Sequence, residues 1–153
     1  MKQILLTLTA LGSVACAASD TDLETAFCEG LEAGAARVVQ AAAAADGATD
    51  VTDAARVDID LVAQDGLYGG FVSYQPDETG KFAFGLTADV PFTVRDAAGQ
   101  EVPIDTTVVG STQCEALAIR HSLTLDIERY TIELGPSDVA TLGLIAEESD
   151  DDA

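Results

Sequence analysis

Apolar residues recur at every second position through most of the chain from residue 56 onward, and that period commits it to sheet. Val57, Ile59 and Leu61 alternate with Arg56, Asp58 and Asp60, which is the pattern of a half-buried strand. Phe92 and Val94 alternate with Thr93 and Arg95. Leu123, Leu125 and Ile127 alternate with Ser122, Thr124 and Asp126, and Tyr130, Ile132 and Leu134 with Arg129, Thr131 and Glu133. In the run Phe82-Ala83-Phe84-Gly85-Leu86-Thr87 the second face carries only small residues, as expected where another element lies close against it.

Turn chemistry punctuates these runs. Gln64-Asp65-Gly66, Pro76-Asp77-Glu78-Thr79-Gly80, Asp96-Ala97-Ala98-Gly99 and Gly135-Pro136-Ser137-Asp138 each combine turn formers with glycine or proline. Short strands at such spacing, with no helix of crossover length between them, predict an all-β fold. The expected form is an antiparallel β-sandwich, jelly-roll-like or Greek key, of about eight or nine strands. Residues 139–146 are apolar enough for a last strand covered on both faces. Thr21-Asp22-Leu23-Glu24 reads as an N-cap with Glu at the third position after it, so residues 23–31 are expected to form one or two helical turns.

The first residues have the parts of an export signal: Lys2, an apolar run over residues 4–11, then small residues. That run falls short of the roughly 20 apolar residues that span a bilayer. Gly12-Ser13-Val14-Ala15-Cys16 resembles a bacterial lipobox, which would lipidate Cys16 and cleave before it. Cleavage after Ala17 or Ala18 is the alternative, since both leave small residues at the required positions. The expected organisation is therefore a signal peptide over 1–18, an N-terminal segment over 19–35, a sandwich domain over 36–147 and an acidic disordered tail over 148–153.

Either cut leaves Cys28 and Cys114 as an even pair, and in an oxidising compartment an even pair predicts a disulfide. Closing a loop of about 86 residues contributes on the order of 4 kcal/mol by restricting the unfolded chain. The alternative use of Cys114 is as a metal ligand with His121.

Charge narrows the function classes. The 153 residues include 27 Asp plus Glu against 7 Lys plus Arg, a formal charge of -20, yet 48% are hydrophobic. A chain so acidic has no cationic surface to track phosphates, which argues against nucleic acid and leaves a lipid on Cys16 as the only expected membrane contact. The apolar fraction argues against disorder and for one soluble globular domain. Losing Lys2 with the signal makes the mature chain one unit more negative still. Such a coat suits solubility in salty surroundings, or a basic or cationic partner.

Few residues are candidates for chemistry. His121, the one histidine, shares parity with Ile119, Leu123 and Leu125 and so points inward; it reads as a core histidine, with a metal ligand or general base as the functional alternative. Asp46, Asp50 and Asp53 make an acidic loop that calcium could use, although their spacing differs from an Asp-x-Asp-x-Asp-Gly ligand loop. No Gly-x-Ser-x-Gly, His-Glu-x-x-His or phosphate-binding glycine loop is present. No catalytic residue and no cofactor are expected.

Gly70-Phe71-Val72-Ser73-Tyr74, Lys81-Phe82-Ala83-Phe84-Gly85-Leu86, residues 90–99 and Tyr130-Thr131-Ile132-Glu133-Leu134-Gly135 together resemble the prepeptidase C-terminal type of β-sandwich domain. The chain also looks like small exported bacterial lipoproteins with one cysteine near the mature N-terminus and another before an Arg-His pair, here Cys114 and Arg120-His121. Arg129 departs from the first pattern, where glycine commonly precedes the tyrosine. The resemblance implies a sandwich used for binding, secretion or stabilisation and brings no catalytic residues. The expected function is a non-enzymatic binding or structural module, secreted or anchored in the cell envelope; a periplasmic metal-binding protein using His121 and Cys114, or a hydrolase of unrecognised type, are the alternatives.

Overall fold

A computed structural model describes residues 20–34, 37–53 and 55–149. The expected signal peptide, Cys16 and the last four residues lie outside them. Eleven strands and a helix are found among the described residues. The helix α1 spans Asp20–Glu32, and the strands are β1 Arg37–Gln40, β2 Thr49–Asp50, β3 Val57–Asp60, β4 Val62–Gln64, β5 Leu67–Tyr74, β6 Gly80–Leu86, β7 Phe92–Arg95, β8 Thr106–Val109, β9 Ile119–Leu125, β10 Tyr130–Ser137 and β11 Thr141–Ser149. They form a six-stranded sheet in the order β1-β3-β11-β6-β9-β8 and a five-stranded sheet in which β2-β5-β10-β7 run in order and β4 also pairs with β5.

The fold is all-β, as expected, and its two sheets share one core. Ile59, Phe84, Leu86, Leu123 and Leu142 from the larger sheet meet Val72, Phe92, Val94, Ile132 and Leu134 from the smaller. These are the alternating positions of the sequence, each placed inward because a strand's side chains point to opposite faces in turn. Tyr74 stands edge-on to Phe82 and Phe84 with ring centres 6.0 and 5.3 Å apart.

The strand count exceeds eight or nine, and the sheets are mixed rather than wholly antiparallel: β1 runs parallel to β3, and β2 runs parallel to β5. β1 and β2 flank an alanine-rich stretch with no period of its own, so neighbouring strands decide how they pair. Val38 on β1 accordingly faces solvent at 65% exposure.

Gly135-Pro136-Ser137, expected as a turn, belongs to β10, where the register against β5 shifts between Leu134 and Ser137. A bulge admits proline within a sheet because the ladder is already interrupted there. Ile127 keeps the parity of Leu123 and Leu125 but lies past the end of β9 and is 61% exposed. Residues 148 and 149, read as the start of a tail, are the paired end of β11, with Glu148 opposite Phe82 and Ser149 opposite Lys81. The Gln64-Asp65-Gly66 turn is a two-residue hairpin between β4 and β5, with positive φ at Asp65 (51°) and Gly66 (85°) that matches strand twist.

A third layer covers the larger sheet. α1 is 13 residues long, more than the two turns expected, and Leu23, Phe27, Cys28 and Leu31 pack on Ala83, Leu117 and Ile145. The small residues of β6 make this approach possible: a Cβ on Gly85 would stand 2.9 Å from Cδ1 of Phe27. β11 is therefore buried on both sides, with Leu142 and Leu144 facing the inter-sheet core and Ile145 facing the helix.

Candidate functional site

His121 lies in β9 and points into the core. Its ring stacks on Phe92 at 4.6 Å between centres, Nδ1 is 3.0 Å from Oγ1 of Thr107, and Nε2 is buried without a partner among the described residues. Burial lowers the imidazole pKa below its ordinary 6.5, against the opposing charge of Asp89, so the ring is neutral at neutral pH. The inward orientation read from parity holds.

Cys28 and Cys114 are joined in a disulfide with Cα atoms 5.8 Å apart. Cys114 is thereby removed from any metal site shared with His121. The bond ties α1 to the segment before β9, and side chains reinforce it. Glu24, expected to join a cap on its own helix, reaches across to the 111–113 segment. Its Oε1 accepts the Thr112 N–H at 2.8 Å and the Ser111 hydroxyl, while Thr25 donates to Oε1 of Gln113 at 2.7 Å. The Ser111 hydrogen bond is the largest influence holding the Glu24 carboxyl below its ordinary range, against the opposing effect of desolvation.

The three aspartates are not gathered at one point. Asp50 and Asp53 border an open recess with Thr52, Gln75, Asp77 and Ile127, whereas Asp46 lines a different one. Asp50 is held low in pKa chiefly by hydrogen bonds from Thr52, whose N–H lies 2.9 Å from its Oδ1. Among the described residues no group of three His, Cys, Asp or Glu side chains is placed to hold a metal ion.

The recess that Asp46 lines has the most distinctive chemistry. It lies on the outer face of the five-stranded sheet and holds about 400 Å³ between Phe71 of β5, Arg95 of β7, Thr131 and Glu133 of β10, Arg129 just before β10, and the 96–99 turn. Register explains the grouping. Thr131 lies opposite Arg95 and also opposite Ser73, and Glu133 lies opposite Phe71, so outward side chains from three adjacent strands converge. A smaller recess of about 150 Å³, lined by Leu67, Tyr68 and Pro136 at the bulge of β10, shares Phe71 and Glu133 with it and lengthens it into a groove. The segment leading to Ala45 and Asp46 pairs along β5 through Ala42 and Phe71, and it comes close at Gly70, where a Cβ would stand 2.6 Å from that of Ala41.

The groove gathers two of the chain's seven Lys and Arg residues among the carboxylates Asp46, Asp96 and Glu133. Arg56 pairs with Asp58 at 3.0 Å, Arg37 donates to the Asp50 carbonyl, and Arg120 is buried and engaged. Arg95 and Arg129 both line this groove with no carboxylate within salt-bridge distance among the described residues, as is also true of Lys81 on β6, and Arg129 acts on Asp50 only through longer-range charge. Asp96 also lines the groove, with its Oδ1 turned to the N–H groups of Ala98 and Gln100 at 3.0 and 2.9 Å. Ser73, 2% exposed beside Thr131, keeps a buried hydroxyl without a partner among the described residues. Sequence reading missed this group because its members are outward residues on strands distant in sequence. Only the alternation that turns Arg95, Arg129, Thr131 and Glu133 outward was visible.

No protein-family model matches the chain, and no curated protein matches it in sequence. The disulfide fits an oxidising, non-cytoplasmic environment. Among the described residues no helix is long and apolar enough to cross a membrane.

Proposed function

We propose that the protein is an exported, non-enzymatic binding module, held in the cell envelope by a lipid on Cys16, that takes its ligand on the outer face of the five-stranded sheet. The observation that carries this reading is the convergence of two arginines, neither in an ion pair among the described residues, on one recess with Phe71 and Glu133. Two guanidinium groups set beside one another over a groove favour an anionic group on a ligand, which each can hold by charge-assisted hydrogen bonds. The enclosed His121 supports a role without general-base catalysis, because its ring is closed off by Phe92 and Thr107. The lipobox-like Gly12-Ser13-Val14-Ala15-Cys16 and the likeness of several strands to prepeptidase C-terminal-type sandwiches support an envelope location and a binding role.

The test is a fragment screen against the folded chain by amide proton-nitrogen correlation spectra. Ligands are expected to perturb the groove amides of Phe71, residues 95–99 and residues 129–133 and to be recovered unchanged. Turnover of a bound fragment, or hits confined to other faces, overturns the reading. Intact mass of protein isolated from its host tests the anchor, with a diacylglycerol adduct on an N-terminal Cys16 expected.

A further inference from the structure

The groove presents both signs of charge in a fixed order, and this defines the chemical class of its ligand. Arg95 lies opposite Thr131, so Arg129 and Glu133, two residues to either side of Thr131, are its diagonal neighbours. The like-charged pair repels in the free protein and gains from an anion set between its members. Asp46 and Glu133 line the same groove and have no ion pair among the described residues, so they leave a place for a cation. Phe71 lies between the two recesses, and the smaller one beyond it has an apolar rim of Leu67, Tyr68 and Pro136.

Long-range charge selects among ligands. A chain at -20 repels a simple anion before it reaches the arginines, and a simple cation gains nothing from them. A zwitterion meets neither difficulty. Resting on the reading of this face as a binding site, we propose that the groove takes a free amino acid or short peptide with an apolar side chain. Its carboxylate is held by Arg95 and Arg129, its ammonium by Asp46 and Glu133, and its side chain lies over Phe71. The larger recess, about 400 Å³, is of the size that small-molecule sites require.

The experiment is a titration of the full disulfide-bonded chain, followed by the same amide spectra, with L-phenylalanine, N-acetyl-L-phenylalanine and L-phenylalaninamide as probes. L-Phenylalanine is expected to give saturable shifts at residues 71, 95–99 and 129–133. Each blocked derivative is expected to bind about tenfold or more weakly, since it lacks one charge-assisted contact. R95Q and R129Q should each weaken phenylalanine by about tenfold while leaving the rest of the spectrum in place. E133Q should weaken phenylalanine and leave the N-acetyl derivative unchanged. Equal binding of the N-acetyl derivative and phenylalanine overturns the zwitterion, while the groove remains a binding site for an anion. Absence of shifts with all three probes overturns the ligand class, and the fragment screen then decides separately whether this face binds anything. If an arginine variant misfolds, the comparison of the three probes on the unaltered chain still decides.

Discussion

Glu24 illustrates how one side chain can serve an element other than its own. Its carboxylate accepts hydrogen bonds from Ser111, Thr112 and Gln113, and these favour the ionised form. A carboxyl whose pKa is lowered on folding stabilises the fold fully above its ordinary 4.5, and that contribution fades as pH falls through the lower folded value. Glu24→Gln is expected to cost about 1 kcal/mol at neutral pH, discounted for solvent exposure, and to flatten this part of the acid limb; urea melts across pH measure both. His121 acts in a higher window. Its pKa is depressed by burial, so the unfolded chain binds the proton first and stability falls as pH drops below 6.5. His121→Gln should remove that slope, read from the same melts between neutral pH and the onset of carboxylate titration. Gly85→Ala sets a Cβ 2.9 Å from Phe27 and 3.0 Å from Leu117, and is expected to cost about 1–3 kcal/mol by overpacking.

At the scale of elements, α1 is held by a covalent tie, by buried apolar contacts and by hydrogen bonds to the 111–113 segment. Its apolar stripe of Leu23, Phe27 and Leu31 is one face of a helix that packs on a sheet already complete in its own pairing. The disulfide closes a loop spanning 86 positions. Replacing Cys28 and Cys114 with alanine should lower stability by about 4 kcal/mol through the freed unfolded chain, measured by chemical denaturation. The intact protein should weigh two hydrogens less than the reduced one. The small face of β6 announced in sequence that something would cover it. That the cover is α1 was hidden, because Glu24 reads locally as a capping residue and reveals its partners at Ser111–Gln113 only once the chain has folded. β10 teaches the same at the bulge: Gly135-Pro136 is turn chemistry in isolation, and the pairing of Ser137 with Tyr68 draws it into a strand.

For the whole molecule, charge of one sign dominates. With 27 acidic residues against 7 basic ones, self-repulsion opposes the compact state, so salt is expected to stabilise it. The melting temperature should rise between low salt and roughly 0.5 M sodium chloride, where the screening length falls to about 4 Å. A melting temperature independent of salt would mean that the carboxylates are too widely spread to repel. Sequence by itself determined the inward set of strand residues apart from Ile127, the parity of His121, the even pair of cysteines and the acidic exterior, because each depends on a local period, a count or a redox rule. Tertiary structure alone decided which strands are neighbours, and with them the parallel edges, the helix that closes the third layer and the meeting of Phe71, Arg95, Arg129 and Glu133 on one face. Cross-strand neighbours are set by register between segments far apart in the chain, and a single strand's period carries no information about which partner it will meet.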